Sequence, residues 1–194
     1  MKNRKYLYDI VMILAGALAV SLDQWSKAAI RQQFAPCDGT AYSPLIGQYF
    51  GLTCTYNVGA AFSTFQQGQT VLLFLLIGIA LAVIIWLYVR YGNQQNLLLK
   101  ISFGLILGGA AGNLIDRFRL GHVTDFLLFS IRSIHFYFPV FNLADSSICI
   151  GIFLLIFYFW LRPNPARPLP DAPAPENTSS LEDAPAERSA SQRS

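Results

Sequence analysis

The chain has 194 residues, of which 54% are hydrophobic and only 13% charged, with a mean hydropathy of +0.42. That excludes an ordinary water-soluble globule and points to one compact membrane domain. The net charge of +3 is spread near the ends of apolar runs, so nothing asks for nucleic acid as a partner, and three cysteines without a CxxC pair or matching histidines give no metal or other cofactor to expect.

Residues Tyr6 to Leu22 form the first apolar run, preceded by Lys2, Arg4 and Lys5. The run has the basic start and short apolar core of a secretory signal. The next residues, Asp23-Gln24-Trp25-Ser26-Lys27, make no small-residue cleavage site, so the reading is a retained first span over 6–25. Val71 to Val89 carries no charge and is long enough to cross roughly 30 Å of hydrocarbon. The third span is read over 97–115, with Lys100 near its start snorkelling to the interface, and the fourth over 140–161. Of the Lys and Arg residues near span ends, seven fall on the side of the termini and five opposite, which places both termini in the cytoplasm and residues 28–70 and 116–139 outside.

The expected fold is therefore an all-α membrane protein of four transmembrane helices, with a small extracytoplasmic β-sheet in the first outer loop, 28–70. Tyr49 to Tyr56 reads as a strand of that sheet. Cys37 and Cys54 would share an oxidising compartment, but sequence cannot bring their sulfurs within bonding distance, and the reading does not count on a bond. From Pro163 the composition turns to Pro, Ala, Ser, Glu and Asp, so 162–194 is expected to be a disordered cytoplasmic tail.

Gly104, Gly108 and Gly112 recur every four residues on the third span, a smooth stripe that lets another helix come close. Asn113 and Arg117 share a face with Gly109. Asp23 and Lys27, four apart, read either as an interfacial ion pair or as part of a site. The strongest signal is Asp145, which counted from Val140 lies about 7–8 Å inside the fourth apolar run. Asp125, in the connection returning to the same membrane face, can meet it. Two carboxylates in one place do not both ionise comfortably, so one keeps a proton while the other acts as a base, an arrangement that activates water against a peptide bond. His122 and His135 have no nucleophile motif around them.

These residues resemble the bacterial lipoprotein signal peptidases (signal peptidase II). The resemblance is carried by five ordered blocks: Asp23-Gln24-Trp25-Ser26-Lys27, Asn57-Val58-Gly59-Ala60-Ala61-Phe62, Gly108 to Arg117, Gly121-His122-Val123-Thr124-Asp125-Phe126 and Phe141-Asn142-Leu143-Ala144-Asp145-Ser146. Thr124 departs from the usual aliphatic residue, and the tail is longer than the family needs. The resemblance implies an aspartic endopeptidase of the inner membrane that cuts diacylglyceryl-modified prolipoproteins just before the lipidated cysteine and is blocked by globomycin-type peptides; no metal is expected, and no sequence feature demands more than a monomer. It makes Asp125 and Asp145 the catalytic pair. Asn57, Asn113, Arg117 and Asn142 would position water, carboxylates and substrate, while Asp23, with Lys27, would support them from the first span. Gly109, Val123 and Ala144 would line a groove, and Gly59 belongs to the Asn57 block. A proton-coupled transporter would instead need polar groups continuing to the cytoplasmic face, and an assembly protein built on the glycine stripe would tolerate loss of either Asp.

Overall fold

A computed structural model describes residues 2–58 and 68–161. In chain order these form α1 (Lys2–Gln33), β1 (Ser43–Ile46), β2 (Phe50–Asn57), α2 (Gly68–Tyr91), α3 (Leu97–Leu120), β3 (Val123–Ile131), β4 (Phe136–Tyr137) and α4 (Leu143–Trp160). Among the described residues, α1, α3 and α4 are long and apolar enough to cross a membrane, and the Gly78–Tyr91 part of α2 is apolar too. The expected tail, 162–194, and Gly59 lie outside the described residues.

Helices α1 and α3 run in the same direction. Asp9 pairs with Lys100 at one end of their seam, Gly16 faces Gly104 and Gly108 in the middle, and Lys27 meets Asn113 at the other. The glycine stripe is what permits this closeness: a Cβ on Gly108 would stand 2.5 Å from the Gly16 carbonyl oxygen. Helix α4 runs the opposite way, with Gly109 against Ala144 and Gly151 against Ser102 and Ile106. Because α1 and α3 are parallel, the chain between them has to return from one end of the bundle to the other. Helix α2, roughly 36 Å long at 1.5 Å per residue, has the length to do so.

Lys100 does not snorkel. It is 2% exposed, its ammonium is paired with Asp9, and it sits 5.1 Å from the centre of the Tyr88 ring. Burial of a cation is tolerated here because a carboxylate on the neighbouring helix neutralises it.

The sheet differs from expectation in origin. Its four strands lie in the order β1-β2-β3-β4, all antiparallel, so half of it comes from the second connection, 116–139, rather than from the first loop alone. Strand β3 is not legible as a strand in the sequence because Val123 to Phe126 and Leu127 are buried on both faces, which removes the alternation that marks a one-sided strand. Helix α3 stops at Gly121, whose φ of 78° only glycine adopts cheaply, and β3 starts two residues later. Residues beyond Gln33 are tied to the sheet by a disulfide between Cys37 and Cys54, packed with Ile30, Phe34, Phe126 and Leu127. Sequence spacing does not count on that bond; folding supplies the approach of α1's exit to β2.

Replacing both cysteines by alanine should lower stability by about 3 kcal/mol, the chain-entropy value for a loop of this order. The check is the thermal midpoint of the purified protein, with and without a dithiol reductant.

Candidate active site

Three elements bring the acidic groups together at one end of the bundle. Asp125 is the third residue of β3, opposite Thr55 of β2, and two residues further along β2 the Asn57 side-chain amide donates to Asp125 Oδ2 at 2.9 Å. Asp145 stands in the first turn of α4. Counting helix from Val140 puts it deeper; the helix begins at Leu143, with Asn142 as its cap.

Asn142 joins the two carboxylates. Its Oδ1 accepts from the Asp145 backbone N–H (3.0 Å), and its own N–H donates to Asp145 Oδ2 (3.2 Å), a reciprocal cap. Since the oxygen is committed to the helix, the Nδ2 must point the other way, where it donates to Asp125 Oδ1 (2.6 Å) and Asn113 Oδ1 (3.1 Å). Asn113 is oriented by the same logic. Its Oδ1 also accepts from Lys27 Nζ (2.9 Å), which has no acceptor to offer, so its Nδ2 faces Asp145 Oδ1 at 2.7 Å.

Lys27 and Asp23 are fully buried, not an exposed interfacial pair. The Lys27 ammonium spends its three protons on Asp23 Oδ2 (2.8 Å), Asn113 Oδ1 (2.9 Å) and Asp116 Oδ2 (3.3 Å). Asp23 Oδ1 accepts from the Ala144 backbone N–H (2.9 Å), tying α1 to the first turn of α4. Gly109, Val123 and Ala144 are buried beside this network: a Cβ on Gly109 would stand 2.4 Å from the Ala144 carbonyl oxygen. One open groove lies among the described residues. It has a volume of about 430 Å³ between α2, α3 and α4, walled by side chains such as Ala80, Ile84, Ala110 and Ile148, and it reaches Asn113 and Arg117. Arg117 hydrogen-bonds the Asn113 carbonyl at 3.3 Å and interacts electrostatically with both Asp145 and Asp125.

The Asp125 carboxyl is pushed up to about 6, chiefly by burial and further by the neighbouring Asp145; hydrogen bonds from Asn57 and Asn142 and the charge of Lys27 oppose the rise. Asp125 thus holds a proton far more readily than a carboxyl in water.

In the sequence, Asp116 and Gln24 have a place in the motif blocks but no role in the site. Asp116, which in the sequence reads as half of an ion pair with Arg117, is instead buried against Lys27, and Gln24 donates to its Oδ1 at 3.1 Å. A signal was available: 104, 108, 112 and 116 continue one four-residue repeat, so Asp116 had to face α1.

Fold and site together define a helical membrane protein with an acidic centre gathered at one end of its bundle. A family model described as signal peptidase (SPase) II matches residues 6–161. The lipoprotein signal peptidases of Moorella thermoacetica and Ralstonia nicotianae are 40% and 44% identical to this chain, covering 77% and 73% of it and 92% and 79% of their own lengths. A bacterial membrane enzyme solved by the in meso method is 30% identical and has a TM-score of 0.66 over 78% of this chain and 94% of its own. The chain belongs to the signal peptidase II family, which makes it a membrane protease.

Asn142 has two separable duties, and substitution should split them. Asn142→Ala should lose the cap, at about 1 kcal/mol, together with peptidase activity. Asn142→Ser should recover the thermal midpoint, because a hydroxyl caps the helix, yet stay at least a hundredfold down in kcat because it has no amide to join the carboxylates.

Proposed function

We propose that this protein is an aspartic endopeptidase that removes signal peptides from diacylglyceryl-modified prolipoproteins, cutting just before the lipidated cysteine, with Asp125 and Asp145 as the catalytic pair. The observation that carries the reading is the Asn142 bridge, which holds carboxylates from two separate elements in one hydrogen-bonded unit. Asp125, with its raised affinity for a proton, is the acid. Asp145, whose two oxygens accept from Asn113 and Asn142 at a helix N-terminus where negative charge is favoured, is the base. Asp145 takes a proton from water as the water oxygen bonds to the scissile carbonyl carbon, and Asp125 protonates the carbonyl oxygen. On collapse the C–N bond breaks, Asp145 returns its proton to the leaving amine, and Asp125 regains one from the diol.

The apolar groove ending at Asn113 and Arg117 suits an apolar signal peptide with a lipid anchor, and globomycin-type peptides would compete there. The disulfide lies at the same end as the acidic centre, and a structural disulfide belongs in an oxidising compartment. That favours a site and sheet at the periplasmic face of the inner membrane, with four spans and both termini cytoplasmic. The parallel course of α1 and α3, which requires α2 to return, supports the same topology.

Asp125→Asn and Asp145→Asn should each abolish cleavage of a purified lipidated prolipoprotein while the protein remains folded in the membrane. Activity surviving in either variant would sink the dyad. The wild-type profile carries a second test. A group that must be protonated and titrates near 6 in the free enzyme makes kcat/KM fall as pH rises through that value. Substrate that further excludes water should move the corresponding limb of kcat to higher pH. A kcat/KM that keeps rising from pH 5 to 8 would contradict Asp125 as the acid.

A further inference from the structure

The peptide just before Asp125 is held from outside the sheet. Thr124 is fully buried. On one side β3 is paired with β2; on the other, among the described residues, β4 reaches Ser130 and Ile131 and Phe141 bridges to Leu127. No described strand stands opposite the Thr124 N–H, and a buried N–H without a partner is costly. Asp116 of α3 fills the place of the missing strand: its Oδ2 accepts the Thr124 N–H at 3.1 Å. Asp116 is itself fixed, by Gln24 on Oδ1 and Lys27 on Oδ2. From α1, Arg31 Nη1 donates to the Thr124 hydroxyl at 2.9 Å. One residue is thus gripped by both parallel helices through charge-assisted bonds, and its neighbour in the chain is the acid.

We propose that Asp116 and Arg31 are positioning residues that act through Thr124 to hold Asp125 in reach of Asn57 and Asn142. This rests on Asp125 belonging to the catalytic pair. Neither residue need touch substrate. Their effect is on where the Asp125 carboxylate sits: a carboxylate that drifts from two amide donors loses bonds that favour its charged form, so it holds its proton to higher pH.

The test uses the full-length protein in detergent. Thr124→Val removes the hydroxyl without changing charge, Thr124→Ser keeps it, Arg31→Met removes its donor, and Asp116→Leu removes the backbone acceptor. Each is followed by thermal midpoint, by kcat and KM on a lipidated prolipoprotein, and by carbon NMR titration of the Asp125 carboxyl, assigned by its disappearance in Asp125→Asn. Thr124→Val and Arg31→Met should each lower kcat about tenfold with KM within twofold. Their double variant should be no worse than either alone, and Thr124→Ser should match wild type. The Asp125 midpoint should rise in Thr124→Val. It should rise in Asp116→Leu as well, where loss of a negative charge alone would lower it. An unmoved midpoint in Thr124→Val, additive losses in the double variant, or a lowered midpoint in Asp116→Leu overturns the proposal. The titration is independent of turnover, so it still reads positioning if Asp125→Asn proves active and the dyad fails.

Discussion

A single ammonium group, Lys27, governs the arrangement at the acidic end of the bundle. Moving a cation that deep costs several kcal/mol unless each of its protons finds an acceptor. Here three acceptors come from two helices: Asp23 on α1, and Asn113 and Asp116 on α3. Each is then committed elsewhere with a fixed polarity. Asp23 holds the first turn of α4, Asn113 is forced to show its amide nitrogen to Asp145, and Asp116 receives the backbone of β3. The cation does no chemistry of its own in this scheme. Its burial fixes the orientation of the Asn113 amide, which otherwise has two equivalent ways to lie.

Close helix packing makes that possible. The ammonium of Lys27 meets α3 only because Gly104, Gly108 and Gly112 let the α1 backbone approach, and Gly112 leaves room for the Asp23 carboxylate, which a Cβ would meet at 2.6 Å. At the far end of the same seam buried Lys100 pairs with partly exposed Asp9. Between these ends the seam is small and apolar, so register between α1 and α3 is pinned by charge at both ends and by shape in the middle. A slip by one residue would unpair both ends together.

The sheet solves a different problem. Asp125 belongs to no helix, yet has to sit beside the first turn of one. Gly121 ends α3 abruptly, β3 turns back over the bundle, and β2 arrives from the other connection bringing Asn57. The Cys37–Cys54 bridge binds the exit of α1 to that second strand. Helices, strands and disulfide thus converge on one small volume, although each enters it from a different part of the chain.

Sequence alone went far with this protein where the signal was local. Apolar runs of membrane length, the four-residue glycine repeat and carboxylates beside apolar segments are written in consecutive residues, because helix period and the cost of burying charge act over short stretches. The five motif blocks gave the family resemblance, and the strand around Tyr49 to Tyr56 was legible from its β-branched and aromatic residues. What tertiary structure decided was partnership. That Lys100 is buried rather than snorkelled depends on Asp9, 91 residues away, and that Asp116 faces Lys27 rather than Arg117 depends on how α1 lies against α3. Strand β3 hid because both its faces are covered, and the disulfide hid because chain spacing says nothing about approach in space. The orientation of Asn113 and Asn142, on which the candidate chemistry turns, exists only once every donor has found its acceptor.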